Sequence, residues 1–581
     1  MSGSWRRASR WALAASLSAA TGCTRGASPQ PDLEGEEWPR PEGELGDEVF
    51  VFLDGPARRQ LDLVFVVNDA AGMGREQAAL SDAFDSLWAE LSGREIGVDL
   101  RVAVTNTDIS LPRCASQGAR VLDGRFDATS CLDRAELFTT LAGDEDEFAR
   151  ACSDRCSLTS AELGLGGSAW LEADASGGTN LAPGVSVAEA FACIAPQGVR
   201  GCGFEAPLEA MHRVLLGFED PESPQYGFRR PDAALAFVVV TDEDDCSFNP
   251  DDASVFDETG GQVFWPPNGD SATSAVCWNA GARCEGPLDD LACELVNRRA
   301  DGTVIAPLSI DNESEAVLWP VARYVRGFDN YFDGLDSTVP RGVFIFDGVG
   351  FDGEARYRGD VGPAYILQYG IGPGCEASAT PSGPAGDACT TDSECSVPLE
   401  VCGDQGRCAA RELAYPPLRL RAFLDAIESQ GAEHTVCVED FAPGLASTLD
   451  LMPAGNAHLC YPGPLFDADE ATPGLQPSCI VAASDAPNFW GQPQSLASAE
   501  LAECQLDPAG GYQLDADGHP IAPEPGASCF AYRTDAGGLT ANPGDDPTEA
   551  CAEYEIEIEI EIDRRAQAAR DLVAVAICRV G

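Results

Sequence analysis

The chain has 581 residues, of which 44% are hydrophobic, and its formal net charge is −58 because 95 acidic residues outnumber 37 basic ones. This length favours two to four domains and supplies enough apolar residues for a core, which excludes a disordered acidic tail. The sequence contains no Lys, so every basic side chain is Arg. The missing Lys excludes a Schiff base to pyridoxal phosphate, a GxxxxGK[ST] phosphate loop and kinase-type phosphate binding. The acidic excess excludes nucleic acid as a partner.

The amino-terminal segment is typical of a secretory signal. A basic stretch that ends at Arg10 precedes an apolar run over residues 11–20. Ala20-Thr21-Gly22-Cys23 resembles a bacterial lipobox, which implies that residues 1–22 are a signal peptide and that Cys23 carries the lipid. An ordinary signal peptide with an incidental Cys23 is the alternative. Because no other apolar run reaches the roughly 18 residues that span a bilayer, we expect membrane attachment through the lipid alone. By analogy with lipoproteins that an Asp after the lipidated Cys retains in the inner membrane, Thr24 at this position favours the outer membrane.

The cysteine count indicates an oxidising compartment. Without Cys23, 22 of the 23 cysteines remain, and an even number in an exported chain favours disulfides over metal thiolates. The stretch 389–408 resembles a small disulfide module of extracellular proteins. The candidate disulfide cysteines are Cys389, Cys395, Cys402, Cys408, Cys437 and Cys460.

The first predicted elements are those of a parallel α/β sheet. Residues 23–57 are rich in Pro, Gly, Glu and Ser, which predicts a flexible tether. Leu61–Val67 is an apolar run interrupted only by Asp62, as expected for a buried strand. Apolar residues at helical spacing then predict a helix over Met73–Leu91, and Val98–Val104 predicts a second strand. A strand, a tight turn, a helix and a strand are the start of a parallel sheet.

The same alternation recurs between long insertions. Further elements are predicted as the helix Leu208–Leu216, the strand Ala234–Val240, the helix Ala316–Val325, the strand Gly342–Phe346 and the helix Leu418–Ile427. Three segments rich in Cys, Gly and Pro, at about 109–185, 246–312 and 348–414, interrupt this order, and disulfides could hold each of them as a subdomain. We therefore predict a doubly wound, mainly parallel α/β domain over residues 58–460.

Residues 461–581 have the short apolar pieces and turn signals of a small disulfide-bonded β domain. Glu555–Ile562 alternates Glu and Ile, which predicts a strand with one apolar and one solvent-exposed face. A second apolar strand is predicted over Asp571–Cys578.

Leu61-Asp-Leu-Val-Phe-Val-Val-Asn-Asp-Ala-Ala-Gly-Met73 resembles the first strand and metal loop of von Willebrand factor A domains. More specifically, the chain resembles the cysteine-rich lipoprotein members of this family that are found in myxobacteria and their relatives. Gly201-Cys-Gly-Phe-Glu205 ahead of a helix, and the segment from Arg230 to Cys246, support the resemblance over about residues 58–460. It implies a Rossmann-like α/β fold with a metal-ion-dependent adhesion site, which binds Mg²⁺ through a D-x-S-x-S loop, a Thr and a later Asp.

This sequence departs from that metal motif. Asn68, Ala70 and Gly72 stand where the resemblance implies Asp, Ser and Ser, and only Asp242 matches. The Thr position falls at Val199, with Thr179 as a rival. The resemblance therefore implies a degenerate site.

A different cation site is the alternative at the same place. Asp69 follows the predicted strand Leu61–Val67, and Asp242, Asp244 and Asp245 follow the predicted strand Ala234–Val240, at strand ends where α/β folds place ligands. Ca²⁺ is the one candidate cofactor, because carboxylate oxygens suit this hard cation. Hydrogen bonds that cap loops and helix N-termini are the simpler explanation of the same residues.

The sequence favours a binding protein over an enzyme. Neither HExxH nor GxSxG is present. We predict a non-enzymatic adhesion or scaffold lipoprotein of the cell envelope that binds a protein or an envelope glycan. A secreted hydrolase with a catalytic metal or paired carboxylates is the alternative.

Overall fold

The computed structural model places much of the chain in two compact units. The first contains residues 60–93 and 97–451, and the second contains 1–59, 94–96 and 452–581. The structure describes residues 49–54, 60–93, 98–111, 114, 118–140, 146–201, 203–231, 233–257, 260–266, 269, 271–333, 340–361, 363–377, 400–402, 408–410, 413–427, 430–451, 457–461, 477–485, 501–506, 512–515, 520–524, 527–533, 558–563 and 572–579.

A six-stranded sheet is the centre of the first unit. Its strands are β1 (Gln60–Val67), β2 (Asp99–Asn106), β3 (Leu171–Ala173), β4 (Ala234–Val240), β5 (Arg341–Asp347) and β6 (Gln430–Thr435). They lie in the order β6-β5-β4-β1-β2-β3, and every pair is parallel except β2 with β3. The predicted mainly parallel α/β fold is confirmed.

Helices cover both faces of this sheet. The α-helices described in this unit are α1 (Gly74–Gly93), α2 (Ser160–Leu163), α3 (Val187–Ile194), α4 (Pro207–Glu219), α5 (Ala275–Gly281), α6 (Val321–Asp333), α7 (Pro363–Tyr369), α8 (Leu418–Leu424) and α9 (Ala442–Ala446). On one face, α4, α6 and α8 share a buried cluster with Val64, Val66 and Phe237. On the other face, Phe84 of α1 stacks on Phe191 of α3, with ring centroids 3.8 Å apart. Because alternate residues of a strand point to opposite faces, apolar strands of this kind require a helical layer on each side.

Shorter elements fill the insertions. Single helical turns are found at Cys131–Phe138, Ala149–Ser153, Pro250–Phe256, Gln262–Phe264, Glu313–Glu315 and Ser447–Leu451. Paired short strands are Ala282–Glu285 with Ala292–Leu295, Cys375–Glu376 with Leu413–Ala414, and Glu400–Cys402 with Cys408–Ala410. Among the described residues, no helix has both the length and the apolar character needed to cross a membrane.

The predicted helix at Ala316–Val325 is wrong at its start. Helix α6 begins at Val321, and Leu318 instead forms a β-bridge with Phe248. Pro320 explains the difference, because a proline disfavours the helical conformation in the residue before it.

The second unit contains two sheets, in which every strand pair is antiparallel except Ala502–Glu503 with Cys529–Arg533. One consists of Val49–Asp54, Leu572–Arg579 and Cys479–Asp485, in that order. Residues 49–54, which lie near the end of the predicted tether over residues 23–57, therefore form a strand. The other sheet consists of Ala457–Tyr461, Ile558–Asp563, Cys529–Arg533 and Ala502–Glu503.

The solvent-exposed Glu face predicted for Glu555–Ile562 is wrong over its described part. The strand Ile558–Asp563 is central in its sheet, and Glu559 and Glu561 are as buried as Ile560. The Arg533 side chain donates to Glu561 through Nε at 2.6 Å. A paired arginine thus allows a carboxylate to lie in the interior, where alternation alone predicts solvent.

Each of the two units contains disulfides between its own cysteines. The bridges are Cys131–Cys152, Cys156–Cys193, Cys246–Cys277, Cys284–Cys293, Cys375–Cys437, Cys479–Cys578 and Cys504–Cys529. Of the candidate cysteines, Cys437 is paired, Cys402 and Cys408 face each other in a two-stranded ladder, and Cys460 lies in a strand. Cys389 and Cys395 lie outside the described residues. Bridges in this number are typical of a protein that folds in an oxidising, extracytoplasmic compartment.

Candidate functional site

Polar side chains gather where the parallel strands end. Asn68 and Asp69 follow β1, Asp108 follows β2, and Asp242 follows β4. Since parallel strands end at one edge of their sheet, these residues lie at the edge where α/β folds bind ligands.

Asn68 is fully used in hydrogen bonds within the protein. Its Nδ2 donates to Thr241 Oγ1 at 3.0 Å and to Asp242 Oδ1 at 2.9 Å, and its Oδ1 accepts from the backbone N–H of Ala70 at 2.6 Å. Its side chain is completely buried. The amide therefore holds the loop after β1 against the loop after β4, a role that a metal ion has in the adhesion site implied by the resemblance.

The remaining positions of the D-x-S-x-S loop offer no metal ligand. Ala70 has no side-chain oxygen, and Gly72 has a φ of +106° with its α-carbon facing Asp242. Burial, with the negative charges of Glu76 and Glu205 added, raises the pKa of Asp242 well above its usual value. The residues present thus do not fit the Mg²⁺ that the resemblance implies.

Replacing Asn68 with Asp is expected to destabilise the protein rather than restore a metal site. The change removes the N–H group that donates to Asp242 and puts a second carboxylate beside it. We expect this to lower the free energy of unfolding by about 1–3 kcal/mol. Urea denaturation at pH 7 with and without Mg²⁺ measures this, and Asn68→Ala separates the lost hydrogen bonds from the added charge. A variant at least as stable as the wild type in Mg²⁺ would contradict the assignment.

Asp244 and Asp245 act as helix caps. Asp244 accepts from the backbone N–H groups of Arg419 and Leu420 at 3.0 and 3.4 Å, at the start of α8. Asp245 Oδ1 accepts from the Leu208 N–H at 3.0 Å at the start of α4, and its Oδ2 accepts from Arg419 Nε at 3.0 Å. Carboxylates at helix N-termini satisfy backbone donors that lack intrahelical partners.

The four carboxylates predicted as a cation site therefore do not converge. No three of Asp69, Asp242, Asp244 and Asp245 bring oxygens within 4.8 Å of one another. The two candidates for the Thr position fail as well. Thr179 pairs with Ala173, at the amino ends of the parallel strands, and Val199 donates its backbone N–H to Leu137.

Asp69 instead joins Asp108 and Glu205. One carboxylate oxygen from each lies within 4.8 Å of the other two. Their side chains are 2%, 1% and 0% exposed, so the whole cluster is buried. Asp69 Oδ1 and Glu205 Oε1 have no hydrogen-bond partner in the structure. We call Asp69, Asp108 and Glu205 the acidic cluster.

Close backbone packing puts Glu205 in this position. The N–H of Gly201 donates to the Asp69 carbonyl at 2.5 Å, and a Cβ on Gly201 would lie 2.7 Å from that carbonyl carbon. Only glycine allows the loop before α4 to approach the loop after β1 so closely. The Glu205 carboxylate then accepts from the Thr107 hydroxyl, and its carbonyl accepts from the Cys246 N–H at 2.7 Å.

The electrostatics of the acidic cluster disfavour three ionised carboxylates. Burial raises the pKa of Glu205 from its ordinary value of 4.5 to about 7. Burial and the neighbouring Glu205 raise the pKa of Asp69 well above its usual value, while Asn106 and Arg120 act in the opposite direction. At neutral pH such a cluster needs protons or a cation to offset its charge.

Sequence reasoning missed two of these three residues. Asp108 and Glu205 are separated by almost a hundred positions, so no local spacing connects them. Glu205 is the last residue of the Gly201–Glu205 motif that carries the resemblance, and its position before a helix at the carboxyl edge was the available signal.

Comparisons with known proteins leave the family open. No family model matches the chain, and no curated protein matches it. Two crystal structures of the pilus adhesin SpaC from Lactobacillus rhamnosus GG are similar, with TM-scores of 0.26 and 0.24 and identities of 7% and 8%. The pilus adhesin RrgA from Streptococcus pneumoniae has a TM-score of 0.24 and an identity of 10%.

These similarities cover 92% of this chain in each case, but only 42%, 44% and 58% of the adhesins. The chain thus spans less than two thirds of the length of the proteins it is similar to. At such TM-scores and identities the likeness carries no inference about function.

Proposed function

We propose that this protein is a non-enzymatic binding protein of the cell envelope. Its α/β unit is a von Willebrand factor A-like domain with a degenerate adhesion site, and a lipid on Cys23 attaches the chain to the outer membrane. Ligand binding, to a protein or an envelope glycan, takes place at the carboxyl edge of the sheet. A Ca²⁺ ion held by the acidic cluster supports that edge.

The observation that carries this proposal is the acidic cluster. Buried carboxylate oxygens without hydrogen-bond partners are costly unless a proton or a cation accompanies them. Ca²⁺ binds oxygens at about 2.3–2.6 Å, so one ion can contact oxygens up to about 5 Å apart. The spacing in the acidic cluster, within 4.8 Å, lets one oxygen of each carboxylate contact a single such ion.

The His–Ser contact of the α/β unit does not supply the nucleophile of a hydrolase. His434 Nε2 lies 3.0 Å from Ser447 Oγ, the distance of a nucleophile and its base. The Ser447 hydroxyl, however, donates to the Gly444 carbonyl at 2.6 Å, and the His434 ring lies 5.1 Å from that of Phe346 between centroids. A serine that donates elsewhere is not activated by this histidine, so the pair stabilises β6 against the helical turn after it.

Calorimetric titration of the mature protein with Ca²⁺ tests the proposal. We expect one saturable site, with affinity lowered at least a hundredfold by Glu205→Gln or Asp69→Asn, because each change removes a charged ligand. Asp242→Asn is the matched control, since Asp242 lies outside the acidic cluster and its replacement should leave the affinity within a few-fold. Ca²⁺ binding that disappears with Asp242→Asn and persists with Glu205→Gln would contradict the proposal.

A further inference from the structure

A second feature of the same edge is a cleft with aromatic and acidic walls. It is partly open to solvent, and its lining includes Trp278, Tyr369, Tyr415, Glu243 and Asp244. The Tyr369 and Tyr415 rings lie 4.4 Å apart between centroids, at an angle of 51°. We call it the aromatic cleft. Its residues come from α5, α7, the segment before α8 and the loop after β4.

Local backbone geometry fixes these walls. Gly370, directly after α7, has a φ of +83°, and a Cβ there would lie 3.1 Å from the Trp278 Cβ. Glycine thus allows the end of α7 to pack against the Trp278 side chain. The N–H of Tyr415 donates to the Asp242 carbonyl at 2.8 Å, which fixes Tyr415 beside the loop that carries Glu243.

Among the residues that the structure describes, Glu243 is the one carboxylate of this lining on which no arginine acts. Asp244 and Asp245 both bind Arg419, the former through its backbone N–H and the latter through its guanidinium. The groups that influence Glu243 are two further acids, Asp242 and Glu205, and the Ser274 hydroxyl. With burial, these acids raise the pKa of Glu243 well above its usual value, as expected for a carboxylate that lacks its counter-ion.

The chemistry of this lining selects a cation. Aromatic ring faces carry negative electrostatic potential and attract ammonium groups, and a nearby carboxylate adds charge complementarity. The chain contains no Lys, so an ammonium-bearing side chain must come from another molecule. A net charge of −58 attracts basic partners and speeds their encounter.

We propose that the aromatic cleft binds the ammonium group of a lysine side chain on a partner protein. Glu243 is the counter-ion, and the Trp278 and Tyr369 rings contact the alkyl chain and the charge. This inference rests on the proposed function, because it assigns a ligand to the same edge of the sheet, but it does not need Ca²⁺ to be bound.

Ligand-observed NMR titration of the mature protein tests this inference. The probe is Nα-acetyl-lysine N-methylamide, and the matching norleucine derivative lacks only the ammonium group. We expect the lysine probe to bind at least tenfold more tightly than the norleucine probe. Glu243→Gln should weaken lysine binding at least tenfold, since a charged hydrogen bond is lost, and Tyr369→Leu should weaken it about threefold or more.

Glu222→Gln, which removes an exposed carboxylate elsewhere, should leave binding unchanged. Equal affinity for both probes, or unchanged lysine binding in Glu243→Gln and Tyr369→Leu, would overturn the inference. Free 1,5-diaminopentane that binds far more tightly than the lysine probe would overturn the protein partner in favour of a polyamine. Each titration is run in EDTA and in saturating Ca²⁺. If the protein binds Ca²⁺ but not the lysine probe, only this inference is overturned. If it binds the lysine probe but not Ca²⁺, only the proposed Ca²⁺ site is overturned.

Discussion

Replacing Asp62 with Ala is expected to lower the free energy of unfolding by about 3–5 kcal/mol, the cost of breaking a buried ion pair at one partner. Asp62 is the one acid in the apolar run of β1, and its side chain is 0% exposed. It accepts from Arg230 Nε and from the Arg230 backbone N–H, both at 2.8 Å. Arg230 Nη2 also donates to the carbonyls of Leu61 and Asp99 at 3.0 Å. The change would leave the Arg230 guanidinium, whose side chain is 16% exposed, without its counter-ion.

Urea denaturation with intact disulfides measures this effect. The matched control is Glu294→Ala, which removes the partner of Arg283 in a pair whose side chains are both more than half exposed. Such surface pairs contribute about 0–1 kcal/mol. Similar losses for the Asp62 and Glu294 variants would contradict the structural role given to Asp62.

Neutralising Glu205 is expected to change how stability depends on pH. The pKa of Glu205 is about 7 in the folded protein against an ordinary 4.5. Between pH 4.5 and 7, the folded state therefore keeps a proton on Glu205 that the unfolded state has lost. The stabilisation that this proton gives is complete below pH 4.5 and is lost as the pH rises to 7. The difference corresponds to about 3 kcal/mol. Without metal, the free energy of unfolding should therefore fall less between pH 4.5 and pH 8 in Glu205→Gln than in the wild type.

The comparison between wild type and variant cancels the titration of the groups on which Glu205 has no effect. Asp244 and Glu433, whose pKa values are also raised to about 7, give the same trend in both proteins. His212, whose pKa burial lowers to about 4, gives the opposite trend in both. Saturating Ca²⁺ should remove the loss in the wild type, because the ion takes the place of the proton. Parallel pH profiles of wild type and Glu205→Gln in EDTA would contradict the assigned environment.

The strands that the sequence predicts correctly are those made up of apolar residues, which favour burial on both faces of the sheet. Ala234–Val240 has no polar residue and is β4 with the same bounds. Strand β6, Gln430–Thr435, has the sequence QGAEHT and no apolar alternation, so only its pairing with β5 makes it a strand. The Glu561 side chain was placed in solvent for the same reason, since its partner Arg533 is distant in sequence. Tertiary pairing decides where local pattern is weak.

The candidate site was predictable as a place but not as a set of residues. Asp69 follows a predicted strand, and the rule that ligands bind at the carboxyl ends of parallel strands located the site from sequence alone. The long loops before α4 then decide which acids meet there, and Glu205 arrives through the contact of Gly201 with Asp69. For Asp244 and Asp245 the sequence left both a cation site and helix capping open, because sequence proximity does not show which of these roles a carboxylate has.

Anomalous diffraction from crystals of the mature protein grown at neutral pH with Ca²⁺ tests the central claim most directly. We predict one Ca²⁺ peak between the carboxylates of Asp69, Asp108 and Glu205, with oxygens at about 2.3–2.6 Å. A peak at Asp242 or Asp244 would contradict the account. So would an empty acidic cluster whose oxygens share protons at about 2.5–2.7 Å.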